Sequence, residues 1–144
     1  METGEIGIRY KLLDAWGGRI STVKVNLSAK NQVHYWKAGG KRKKLTLPPD
    51  AVEKVWNLLQ DSALYGFKEL EQEAACFEIL DGTISDVTYT DGKQVQEVYA
   101  GNLWAYQVDP GKWPHTAAVK TMLQSLREIL EKAGIPAELL SSWV

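Results

Sequence analysis

Ile6, Ile8, Tyr10 and Leu12 alternate with Glu5, Gly7, Arg9 and Lys11, the period of a strand with one buried face. Trp16-Gly17-Gly18 follows and offers the positive φ angles of a tight reversal. A second strand is expected from about Arg19 to Ser28, with Val23, Val25 and Leu27 on one face. Ile20 falls out of that register, which predicts a bulge beside it. Val33 to Lys37 reads as a third strand, Gly39-Gly40 as a further reversal, and Lys41 to Leu47 as a short, charged fourth strand.

Pro48-Pro49 ends that run and opens a helix over about Asp50 to Asp61. Val52, Val55, Trp56 and Leu59 sit at i, i+3, i+4 and i+7 and predict its buried stripe. Tyr65-Gly66-Phe67 forms a connector, and Glu69 to Glu73 is expected to be solvated. Cys76 to Leu80 and Ile84 to Thr90 read as strand. Asp91-Gly92 marks a hairpin, with Gln94 to Ala100 returning. A two-residue loop would set Asp86 against Glu97, an unfavourable like-charge pair. The expected register is therefore a three-residue loop with a bulge, pairing Tyr89 with Val95.

Gly101 to His115 has no period and is long for a loop. A second helix follows, with Thr116 as its expected N-cap and a stripe of Val119, Met122, Leu123, Leu126, Ile129, Leu130 and Ala133. Gly134 and Pro136 stop it. The tail, 137–144, keeps Leu139, Leu140, Trp143 and Val144 and is expected to dock. The order is strands, helix, strands, helix: an α+β fold with an antiparallel sheet of β-hairpins and both amphipathic helices packed on one face.

A chain of 144 residues has the size of a single domain, 1–144, and buries enough surface to need no covalent staples. With 17 basic and 18 acidic residues its net charge is −1, whereas dedicated nucleic-acid binders carry a basic excess. Its single cysteine, Cys76, forms no intramolecular disulfide. No run has the length of a membrane span and no signal-peptide pattern opens the chain, so the expected location is the cytoplasm.

Candidate chemistry is sparse. His34 and His115 lack partners at metal-ligand spacing, so a sheet-surface side chain and a pre-helix residue are the simpler readings. Cys76, between Ala75 and Phe77, reads as a buried thiol. Glu69, Glu71, Glu73, Glu78, Asp81 and Asp86 read as a solvated acidic face. The glycines form neither a phosphate loop nor a dinucleotide fingerprint, and no serine sits in a nucleophile elbow. No cofactor, metal or catalytic residue is therefore expected, and the chain is not expected to be an enzyme.

Two features remain. Lys37, Lys41, Arg42, Lys43 and Lys44 form a basic patch directly after Tyr35-Trp36, a mixture suited to stacking a base and holding a phosphate. Lysines that protect an exposed edge strand are the simpler explanation, and an acidic protein partner is a third. Tryptophan is abundant, with six residues. Trp56 fits the core of the first helix, and Trp16 reads as a cover for the end of the core. Trp104, Tyr106 and Trp113 lie in the long loop, where Trp favours binding hot spots. The candidate partner-binding residues are thus Trp104, Tyr106, Trp113 and Trp16.

Gly17-Gly18 after an opening strand, a helix opened by Pro49, Tyr65-Gly66-Phe67 shortly after it, the Val87–Val98 hairpin and a terminal amphipathic helix together resemble emfourin-like domains. These are small bacterial proteins whose namesake inhibits a thermolysin-like metalloprotease. The resemblance implies a small α+β fold and an inhibitory, protein-binding role, and it carries over no functional residue. The expectation is a non-catalytic protein-binding module of inhibitor or immunity type, with an unidentified protein partner. The alternatives are weak single-stranded nucleic-acid binding at the basic edge and an enzyme with an unrecognised carboxylate site.

Overall fold

The computed structural model describes residues 6–28, 30–71, 83–101, 103 and 108–139. Among them, β1 (Ile6–Leu13), β2 (Arg19–Asn26), β3 (Gln32–Lys37), β4 (Lys43–Thr46), β5 (Ile84–Asp91) and β6 (Val95–Gly101) build one sheet. Its order is β4-β3-β2-β1-β5-β6, and every pairing is antiparallel. α1 (Pro49–Leu58) and α2 (Pro114–Lys132) complete the α+β fold. The strand expected over Cys76–Leu80 lies outside the described residues.

Strand alternation sorts the sheet into two faces. Ile8, Tyr10, Leu12, Val23, Val25, Val33, Val87, Tyr89, Val98 and Ala100 point to one side and are buried. They share a core with Ala51, Val55 and Leu59 from the α1 segment and Val119, Met122, Leu123, Leu126 and Leu130 of α2. Both helices therefore pack on the same face. Each of these large side chains contributes about 1.5–3 kcal/mol on burial.

The expected bulge is present: Leu12 pairs with Ser21 and Leu13 with Arg19, so Ile20 is the extra residue. The β1–β2 turn is held by Asp14, whose Oδ1 accepts from the backbone N–H groups of Trp16 (2.9 Å) and Gly18 (2.8 Å). Gly134, with φ of 109°, closes α2 just past its C-cap Ala133. The Gly134 N–H donates to Glu131 and that of Ile135 to Leu130, the paired closure that a left-handed glycine permits. The tail docks as far as it is described. Leu139 is buried, Ser21 Oγ donates to its carbonyl at 2.8 Å, and Glu138 pairs with Lys37 at 3.1 Å.

Several expectations are corrected. The β5–β6 register is neither of the two considered, because Thr90 pairs with Val95, Tyr89 with Gln96 and Val87 with Val98. Pairing Tyr89 with Val95 would have brought Glu97 onto the core face, since a one-residue slip reverses every side chain. The longer loop is built by the Asp91 side chain, which accepts from Lys93 N and Gln94 N, both at 2.8 Å. Trp56 is 44% exposed; Ala51 takes the place of Trp56 in the buried stripe of α1. Trp16 covers no core, being 89% exposed.

Thr116 is not the N-cap of α2. The helix begins two residues earlier, at Pro114, so His115 lies in its first turn rather than before it. Glu71 supplies the cap from a distant segment. Its carboxylate accepts from His115 N at 3.3 Å and Thr116 N at 2.9 Å. Glu71 is thus a half-buried structural group and not part of a solvated acidic face. Burial alone would raise its pKa, but these hydrogen bonds outweigh it and hold the carboxyl below its ordinary value.

Candidate binding face

The second face of the sheet carries polar residues at its in-register positions. Lys44, His34, Lys24, Arg9, Thr88 and Glu97 form one row across all six strands. The next such row runs Trp36, Thr22, Lys11, Asp86 and Tyr99 from β3 to β6. The Arg42 guanidinium lies over the Trp36 ring, 4.8 Å from its centroid, and extends this row beyond β3. Arg19 and Leu13 follow beside the β1–β2 turn.

Cations crowd the β4-to-β1 side of this face. Lys24 is flanked in register by His34 and Arg9, and the like charges of Lys24 and Arg9, placed opposite one another, repel. Among the described residues Lys11, Lys24 and Lys44 form no ion pair. The Arg9 guanidinium donates a long hydrogen bond to Thr88 Oγ1, 3.4 Å. The imidazole of His34 reports the local potential. Burial, together with the charges of Arg42, Lys24 and Lys44, holds its pKa below the ordinary value. Across β5 and β6 the sign changes, with Asp86 and Glu97 in the same two rows.

A hollow of about 560 Å³ opens at the turn end of this face. It is lined by Lys11, Leu13, Gly17, Arg19, Trp36, Gly39 and Asp86 among others. Between Lys11 and Trp36 lies Thr22, 2% exposed, whose Oγ1 has no hydrogen-bond partner among the described residues. A buried hydroxyl without a partner costs about 1–3 kcal/mol. No group of three His, Cys, Asp or Glu suited to a metal ion occurs among the described residues.

The predicted basic patch is divided by strand alternation. Lys44 and Arg42 belong to the open face, while Lys43 pairs with Tyr35 and Lys37 with Ser21 on the helix side. Lys41 precedes β4. Tyr35 packs against the core, so Tyr35 and Trp36 do not form a joint stacking platform. β4 is a sheet edge with exposed lysines, as edge protection requires. His34 is a sheet-surface residue, as expected. His115 is different: its ring packs on Phe67, with centroids 4.7 Å apart, and its Nδ1 lies 2.9 Å from the Ala63 carbonyl oxygen.

Of the aromatic candidates, Trp16 stands at the tip of the β1–β2 turn. Trp113 is half-buried at the entrance to α2, its backbone N–H donating to Asp109 at 2.8 Å. Trp104 and Tyr106 lie outside the described residues, as do Cys76 and Trp143. Arg9, Lys11, Lys24, Arg19, Thr22 and Tyr99 were not singled out from the sequence. Each is an ordinary outward strand position, and only the register makes them neighbours.

No described helix is long and apolar enough to cross a membrane. Compared with family models, curated proteins and solved structures, the chain matches none.

Proposed function

We propose that the chain is a non-catalytic protein-binding module that docks a partner bearing an acidic patch on its open sheet face. The single observation that carries this reading is the cross-strand row Lys44–His34–Lys24–Arg9. Lys24 and Arg9 stand opposite each other, and among the described residues Lys24 and Lys44 form no ion pair, a clustering of positive charge that an anionic partner would relieve. Exposed aromatic groups at Trp16 and Tyr99, 89% and 63% exposed, add the ring types that anchor protein interfaces. The resemblance to emfourin-like domains points the same way. The interface moves, however, from the long loop to the sheet.

A single-stranded nucleic acid is the second reading, favoured by Trp36 beside Lys11 and Arg19. The change of sign at Asp86 and Glu97 weighs against a uniformly anionic strand and favours a partner whose own charge varies in sign.

The test is affinity capture with the wild type and an Arg9→Glu, Lys24→Glu, Lys44→Glu variant, followed by zero-length amine–carboxylate crosslinking. The expected result is a protein captured by the wild type and lost on the variant, with crosslinks from Lys24 or Lys44 to acidic peptides. Retention of the same partner by a folded variant overturns the assignment of the face. Salt-sensitive binding of a labelled oligonucleotide with no protein captured supports the second reading instead.

A further inference from the structure

We propose that the hollow between Trp36 and Asp86 is a mononucleotide site, taking a base and a ribose phosphate. The inference stands on the hollow alone and does not require the protein partner. Four chemically distinct groups line it: Trp36, Lys11, Arg19 and Asp86. Trp36 offers an indole for stacking a flat ligand, and the Arg42 guanidinium over its ring adds positive charge beside it.

Lys11 and Arg19 supply two positive groups, Lys11 pairing with Thr22 and Arg19 lying toward the turn. A phosphate held between an ammonium and a guanidinium makes charge-assisted hydrogen bonds with both. Asp86, in register with Lys11 on its far side, accepts hydrogen bonds only and repels a second phosphate. It suits the ribose hydroxyls. From Trp36 on β3 to Asp86 on β5 is three strand spacings, about 14 Å, room for one nucleotide and little more.

Gly17 and Gly39 also line the hollow, both at positive φ, where an added Cβ would meet nothing within 4 Å.

The chemistry of a base with a phosphate is shared by a free nucleotide and a residue of a strand. The proposal commits to the free nucleotide, because Asp86 and Glu97 interrupt any longer anionic track. The test is calorimetric titration of the full chain with each ribonucleoside 5′-monophosphate, with the matching nucleoside, with inorganic phosphate alone and with a hexanucleotide. Amide chemical shifts of Lys11, Thr22 and Trp36 locate the binding. One monophosphate is expected to bind at least tenfold more tightly than its nucleoside or phosphate, and no more weakly than the hexanucleotide.

Trp36→Leu and Arg19→Ala should each lower that affinity about tenfold, with circular dichroism showing both variants folded. Asp86→Asn should narrow the preference for ribose over 2′-deoxyribose. The proposal is overturned if no monophosphate shifts these amides at millimolar concentration. It is also overturned if folded Trp36→Leu and Arg19→Ala both bind like the wild type, or if the hexanucleotide alone binds.

Discussion

Glu71 and Thr116, 45 residues apart, share hydrogen bonds at 2.8 Å and 2.9 Å that involve both the carboxylate and the backbone of Glu71. The carboxylate also lies at the positive end of α2, where a negative charge is favoured. Glu71→Ala should therefore cost about 1–2 kcal/mol, read as a shift in the urea midpoint. The pH dependence has a definite sign. Because the folded pKa is lowered, the stabilisation is complete above the ordinary carboxylate value and is lost as pH falls through the folded one. Glu71→Gln should flatten that acid limb.

Tyr89 ties the sheet to the short helical turn Ser62–Leu64, its hydroxyl donating to the Leu64 carbonyl. The ring is fully buried and meets Tyr65 edge-on at 5.4 Å. Burial pushes the Tyr89 phenol well above its ordinary pKa, so it stays protonated and donates at any pH the protein tolerates. Tyr89→Phe should cost about 1–3 kcal/mol, because the carbonyl loses its donor while remaining buried. Denaturant unfolding measures it.

Lys24 sits opposite the like charge of Arg9 and should be replaceable at a gain. Lys24→Glu is expected to stabilise the free protein by about 0.2–1 kcal/mol while weakening capture of an acidic partner. Added salt should raise wild-type stability more than that of the variant, since screening relieves the same repulsion. Paired melting curves at low and high salt provide the check.

His34 offers a titration readout on the same row. Its folded pKa lies below the unfolded value, so the unfolded chain binds more protons between the two. Stability should therefore rise with pH from the folded pKa up to about 6.5, and level off above. His34→Gln should abolish that rise. An NMR titration of the imidazole should also show its pKa moving up in Lys24→Glu and in Lys44→Glu.

Much of the fold is legible in the sequence because it is written in local periods. The alternation from Ile6 to Leu12 marks β1, the mismatch at Ile20 marks the bulge, and the stripe from Val119 to Leu130 marks α2. Where one residue's partner lies far along the chain, local reading fails. The Trp56 spacing fits a helix face, but Ala51 and Val55 set which face is buried. The capping role of Glu71 depends on where a connector passes 45 residues before Thr116. The hairpin register was missed because the Asp91 side chain builds a longer loop than Asp-Gly alone suggests. The candidate face is hardest to read: Arg9, Lys24, His34 and Lys44 come from four strands, and only pairing puts them in a row.

The position of β1 in the sheet has a consequence for synthesis. β1 pairs with β2 at once, but its other edge waits for β5, more than seventy residues later in the chain. A growing chain that has released β1 to β4 holds a four-stranded meander with Ile8, Tyr10, Val23, Val25 and Val33 uncovered. α2, which shields much of that surface, is made only after β5 and β6. During that interval the molecule offers both an open strand edge and a bare apolar sheet, the two features that recruit other chains. A chain ending before Ile84 should therefore collect in the insoluble fraction, and late arrival of the second hairpin is the step at which a chaperone would matter most.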